Sequence, residues 1–277
     1  MALTAYQIEI LRLLADKRKR TGESYVAGGA ALNFVLKTSR LSRDLDLFHD
    51  TTEALEVTWL SDRDFLLGSG YTIEVIREVP SFVEADIRKN NDHVLIQWVR
   101  DSAFRFFPLV EDNVLGLTLH PFDLASNKVL AMAGRLEPRD WIDTLECHKR
   151  VQPLGYLVWA ACGKDPGVNP EMVLAEGARL HYSQMEIDTL AFEGGPPSAA
   201  QLSVEWKRAL EQARRIVDML PEDTLGKCFL NADKMGLYTT ISIEQLQKDL
   251  QSNSIYFHEG TIGGAWPRIK KQGCIGE

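Results

Sequence analysis

Residues 44–48 read Asp-Leu-Asp-Leu-Phe, a strict alternation of acid and apolar side chains. In a β-strand successive side chains point to opposite faces. Leu45 and Leu47 therefore face a core, while Asp44 and Asp46 sit together on the other face. Two carboxylates so close repel each other unless a proton or cation stands between them. Magnesium meets that need, because it prefers oxygen ligands and binds through one or two carboxylates plus phosphate oxygens. The strand must belong to a sheet with one face packed and the other open beside these acids.

The surrounding pattern is α+β. Residues 4–19 carry Ile8, Leu11, Leu14 and Ala15 at helical spacing. A short apolar run, Tyr25-Val26-Ala27, leads into Gly28-Gly29 and a helix over 30–35. Residues 53–67 form another helix, and 71–76, 82–87 and 94–99 read as strands. Asn90-Asn91-Asp92 is turn chemistry that pairs the last two as a hairpin. A helix starts at Asp123 as N-cap, after Pro121, and runs to about Leu136. Pro138 interrupts it, and a second helix covers 139–148. Past Gln152, helical patterns at 170–190 and 199–219 flank the breaker Gly194-Gly195-Pro196-Pro197. The expected organisation is an α/β domain over 1–150 and a mainly helical domain over 151–277.

Composition excludes several classes. The chain has 277 residues, of which 45% are hydrophobic and 25% charged, the balance of a soluble globular protein. No apolar run approaches the roughly 18 residues of a membrane span. The N-terminal charges follow the apolar stretch, which describes an amphipathic helix and not a signal peptide. Cys147, Cys162, Cys228 and Cys274 form no C-x-x-C pair, which fits reduced thiols in a cytoplasm. With a net charge of -8, a general nucleic-acid coat is absent. Contact with polynucleotide would rest on local runs such as Lys17-Arg18-Lys19-Arg20, or Arg268, Lys270 and Lys271. The six histidines show no ligand spacing, no serine sits in a G-x-S-x-G elbow, and the glycine pair fits neither a Walker nor a Rossmann loop.

The remaining polar pattern complements the acid pair. Gly28 and Gly29 lack Cβ atoms, so their backbone can approach a phosphate closely. The helix that follows offers free N–H groups to an anion. Ser42 could donate its hydroxyl to the same phosphate. Lys128 and Arg135 lie seven residues apart on the expected helix, nearly two turns, and share a face that could bind a triphosphate. Asp140 and Asp143 share a face of the next helix. Asp143 could orient Lys128 or help to deprotonate an acceptor hydroxyl.

Taken in order, Gly28-Gly29 followed by Arg40-x-Ser42-x-Asp44-x-Asp46 resembles the signature of nucleotidyltransferases with the polymerase-β fold. Lys128-x-x-Ala131-x-x-x-Arg135-x-x-x-Arg139-Asp140-x-x-Asp143 is similar to the later motifs of the AbiEii/AbiGii toxin-like family. The resemblance covers roughly residues 25–150. It implies a polymerase-β-like core with a mixed β-sheet flanked by helices, followed by the helical half. It also implies Asp44 and Asp46 as Mg2+ ligands, with Lys128 and Asp143 essential to transfer. Gly28, Gly29, Arg40, Ser42, Arg43, Arg135, Arg139 and Asp140 would bind the nucleotide. The implied partners are an NTP, a tRNA or other RNA acceptor and a cognate antitoxin, with no membrane. A small-molecule or protein acceptor, and a non-catalytic nucleotide-binding module, remain alternatives. One position departs from the wider superfamily. Where many members carry a third carboxylate on a later strand, this chain has Gln97, with Glu84 and Asp86 on the neighbouring strand as further candidates.

Overall fold

The alternation around Asp44 is realised in a seven-stranded mixed sheet in the computed structural model, which describes residues 2–267. The C-terminal basic run Arg268, Lys270 and Lys271, with Cys274, lies outside the described residues. In chain order the first half comprises α1 (Ala5–Thr21), β1 (Tyr25–Ala27), α2 (Gly28–Leu36), β2 (Asp44–His49), α3 (Thr52–Gly68), β3 (Thr72–Val79), β4 (Phe82–Lys89) and β5 (Asp92–Arg100). Three short strands follow: β6 (Phe104–Arg105), β7 (Val110–Asp112) and β8 (Gly116–Thr118). Then come α4 (Pro121–Gly134) and α5 (Pro138–Arg150).

The sheet order is β3-β4-β5-β2-β1-β8-β7. β2 runs parallel to β5 and antiparallel to β1, so the acid-bearing strand lies in the interior of the sheet. Leu45, Leu47, Val83, Ile96 and Trp98 are all buried on one face. Trp59 of α3 packs on Trp98 with ring centroids 4.7 Å apart, and Tyr6 of α1 donates its hydroxyl to the Ile87 carbonyl at 3.1 Å. α1 and α3 therefore close the apolar face. α2 packs against β1, β2 and α4. The opposite face stays open along β2, β5 and β4.

Three local expectations change. Asp123 is not the N-cap of α4. His120 takes that place, its ring nitrogen accepting from the Phe122 N–H at 3.2 Å. Pro121 fills the first helical position, which turns Asp123 inward. There its carboxylate accepts the N–H groups of Phe106 at 2.9 Å and Phe107 at 3.0 Å, and it pairs with Lys164 at 2.8 Å. Arg135 is likewise not on the helix face with Lys128. It is the C-cap of α4, with extended backbone at φ -146°, and approaches from the loop before Pro138. Asp140 and Asp143 do share a face of α5, but that face is fully buried.

The second half is helical, with α6 (Leu154–Ala161), α7 (Pro170–Arg179), α8 (Gln184–Ile187), α9 (Ala199–Val217) and α10 (Ile243–Gln251). It also carries β9 (Cys228–Asn231), β10 (Ile255–His258) and β11 (Thr261–Ile262), which the sequence reading did not anticipate. β11 pairs with β6, across the boundary placed at residue 150. Among the described residues one apolar cluster runs from Leu3 to Leu230 through both halves, and a smaller second one, around Tyr156, Phe229 and Leu246, lies within the helical half. Among the described residues, no helix is long and apolar enough to cross a membrane.

Asp123 anchors α4, the helix that carries Lys128, so its removal tests how that helix is held. Asp123→Ala should destabilise the fold by about 3–5 kcal/mol, because Lys164 is left as an uncompensated buried charge. Adding Lys164→Met should restore part of the loss, as read by chemical denaturation. A destabilisation under about 1 kcal/mol in the single variant would refute this account.

Candidate functional site

α2 begins on the residue after β1 ends. Gly28 makes that turn at φ +65°, in the left-handed region that favours glycine. A side chain there would also collide with the site, because a Cβ on Gly28 would stand 1.8 Å from Asp46 Oδ2. Asp46 is thus packed under the glycine turn. Ala27, the N-cap of α2, contributes no side-chain hydrogen bond, so the first N–H groups of the helix are not capped by it. Ser42 and Arg40 lie against Gly29, where a Cβ would come 3.3 Å from Ser42 Oγ and 2.8 Å from Arg40 Nη2.

These elements border a cleft of about 540 Å³. Its lining includes Gly28, Gly29, Arg40, Ser42, Arg43, Asp44, Asp46, Lys128, Arg135 and Arg139, ten of the twelve residues singled out in the sequence. Asp140 and Asp143 are absent from the lining. Both are 0% exposed and lie behind the cleft wall. Asp143 accepts from Arg40 Nε at 2.7 Å and Nη2 at 2.6 Å, and pairs with Lys128 Nζ at 3.2 Å. Asp140 pairs with the same Nζ at 2.8 Å and with Arg135 Nε at 2.6 Å. Burial alone would raise both carboxyls, but Lys128 with Arg40, and Lys128 with Arg135, hold them below the ordinary range. Asp143 is therefore a buried anchor for Arg40 and Lys128 with no surface of its own in the cleft. Asp140 offers no surface to a nucleotide. What reaches the cleft is the cationic side of each pair.

The acids on the sheet show the opposite balance. Burial pushes Asp46 up to about 6 from 3.8, against the pull of Lys128 and with a further push from Asp44. Asp44 is also raised, again by burial first, with Arg139 opposing and Glu84 adding to it. Arg139 Nε is buried without a hydrogen-bond partner among the described residues. Gln97 stands directly beside Asp46 on β5, and its Nε2 donates to Glu84 Oε1 at 2.7 Å. Asp86, the other candidate acid, is occupied by Arg88 at 2.7 Å and His93 at 3.2 Å.

Other contributors were not foreseen. Asn33 Nδ2 donates to the Gly29 carbonyl at 2.7 Å and to Asp143 Oδ1 at 3.3 Å, while Thr38 donates to its Oδ1. The clue was available: Asn33 is a lone polar residue in the apolar run of α2, one turn after Gly29. Glu137 and the segment Thr189-Leu190-Ala191 also line the cleft. That segment is stitched to the first half by backbone bonds, Leu41 N–H to Ala191 O at 2.9 Å and Glu193 N–H to Ser39 O at 2.8 Å. No local sequence signal marks such a long-range pairing.

No protein-family model matches this sequence, and no curated protein matches it. Solved structures do resemble it. JHP933 from Helicobacter pylori aligns over 78% of this chain and 95% of its own length, at 12% identity and a TM-score of 0.51. A second H. pylori structure, described as a candidate nucleotidyltransferase, aligns over 78% and 97%, at 13% identity and a TM-score of 0.51. This chain has the nucleotidyltransferase fold. MenT4, a nucleotidyltransferase toxin from Mycobacterium tuberculosis, is also similar, covering 79% of this chain and 86% of its own at 16% identity and a TM-score of 0.48. Within the nucleotidyltransferase fold, the cleft just described opens where β2 meets the N-terminus of α2.

The raised Asp46 carboxyl has a measurable consequence. Between pH 4 and about 6 the folded chain keeps this proton while the unfolded chain loses it, so stability falls as pH rises through that window. Asp46→Asn should therefore raise the melting temperature at pH 7.5 in EDTA by a few degrees. The gain should shrink toward zero as pH falls to 4. A lower melting temperature for the variant at pH 7.5 would contradict the desolvated-charge account.

Proposed function

We propose that this chain is a nucleotidyltransferase that moves a nucleoside monophosphate from an NTP to an acceptor hydroxyl on RNA, with Mg2+ as cation. One observation carries the reading: two desolvated carboxylates, a buried lysine and the glycine-led start of a helix share a single cleft. The donor set fits a hard cation, since Asp44 and Asp46 are oxygen ligands on one strand face that repel each other without it. Bound there, Mg2+ supplies charge neutralisation for the triphosphate and the leaving pyrophosphate.

The chain's own residues do the rest. The α2 N-terminus and Gly28-Gly29 present backbone N–H groups to phosphate oxygens. Lys128 is 6% exposed and fixed by two buried acids, so its ammonium is aimed before the nucleotide arrives. Preorganised charge of this kind stabilises a transition state without reorganisation at the moment of reaction. Arg43 and Arg139 bring further positive charge to the cleft, beside Asp44. Arg135, whose side chain is 52% exposed, stands at the mouth within reach of an acceptor backbone. The resemblance to AbiEii/AbiGii proteins supports tRNA as the acceptor, a toxin-like role and a cognate antitoxin. The net charge of -8 favours a small-molecule acceptor instead. Affinity for an RNA acceptor falls steeply with salt, whereas affinity for a small acceptor does not.

Incubation with each labelled NTP, Mg2+ and tRNA should give magnesium-dependent labelling of the RNA. Asp46→Ala and Lys128→Met should each reduce it by about 100-fold or more. Asp143→Asn should also lower activity, because Arg40 and Lys128 lose their shared anchor. Absence of transfer with all four NTPs across RNA, protein and small-molecule acceptors would overturn the proposal.

A further inference from the structure

We propose that Gln97 provides a third, uncharged oxygen ligand to the cation held by Asp44 and Asp46, and that Glu84 is the positioning residue that aims it. This rests on the transferase reading above. Asp46, Gln97 and Glu84 occupy one row across β2, β5 and β4, each the register partner of the next. Strand partners project to the same face, which here is the cleft face. Gln97 lines the cleft beside Asp44 and Asp46.

The orientation of its amide follows from chemistry. A glutamine amide can present either end to a neighbour, but an ionised carboxylate only accepts hydrogen bonds. Glu84 therefore takes the Nε2 side, at 2.7 Å. That leaves Oε1 on the other branch of the amide, in a residue whose register partner on its other side is Asp46. No hydrogen bond engages Oε1 among the described residues. Among those residues, too, no three His, Cys, Asp or Glu side chains gather as a metal-holding group. On the cleft face of β5, beside Asp46, the chain offers the amide of Gln97 and not an acid.

The substitution has a functional reason. Three carboxylates would bind a free cation strongly in the empty cleft. Two carboxylates and an amide carry one negative charge fewer, so the empty cleft holds a free cation less tightly and a nucleotide's phosphates complete the set. Glu84 keeps its own charge one strand away and spends it on fixing the amide.

Mn2+ binding, followed by electron paramagnetic resonance on the intact protein, tests this without any turnover. Gln97→Met keeps the side-chain size and removes the oxygen; it should weaken Mn2+ affinity about tenfold. Glu84→Gln should weaken it comparably, because an amide partner accepts either end of Gln97. Exchanging the pair, Glu84→Gln with Gln97→Glu, brings the carboxylate beside Asp46 and should bind Mn2+ more tightly than the native chain. Circular dichroism and melting temperature report whether each variant is folded. Unchanged Mn2+ affinity in folded Gln97→Met, with affinity lost in Asp46→Asn, would overturn this inference alone. If Asp46→Asn also binds Mn2+ normally, the transferase reading itself falls.

Discussion

Asp143 is a carboxylate with no exposed surface, held between the guanidinium of Arg40 and the ammonium of Lys128. A lone charge in that place would be too costly to keep, and either cation alone would leave it poorly compensated. The three groups come from the β2 approach, from α4 and from α5, so their pairing fixes these elements relative to one another. Asn33 ties the start of α2 into the same cluster through the Gly29 carbonyl and Asp143. The floor of the cleft and the turn above it are therefore set by one buried electrostatic knot.

That knot also sorts the charges by accessibility. Asp140 and Asp143 are buried and held low by their cations, whereas Asp44 and Asp46 are raised by burial and make no salt bridge among the described residues. Four acids within one small region thus play two different parts. One pair neutralises the protein's own cations from behind. The other lines the cleft without a direct ion-pair partner among the described residues, which leaves its oxygens available to a hard cation.

Much of this was legible in the chain. The alternation at 44–48 gave the strand and its faces, and the glycines gave the helix entry, because both are local patterns with a steric cause. The error at Asp123 arose because an acid near a helix start is ordinarily a cap, while Pro121 and His120 already served that end. Arg135 was misplaced because the helix stops at Gly134, before Pro138, sooner than periodicity suggested. Asp140 and Asp143 were assigned to the right helix, but spacing alone cannot say whether a face looks at solvent or at buried cations. The wall at 189–191 had no signal, since it is built by backbone pairing across some 150 residues.

That wall has an evolutionary reading. Its attachment to the first half runs through main-chain groups of Ser39, Leu41, Ala191 and Glu193, and main-chain bonds are indifferent to side-chain identity. Thr189 and Ala191 can therefore change without loosening that seam, whereas Leu190 also packs its side chain against the apolar core. One rim of the cavity is thus held largely by main-chain groups, while the floor beneath is held by the side chains of Arg40, Lys128, Asp140 and Asp143. A cavity divided in this way can alter the surface of one rim and leave its charged floor in place.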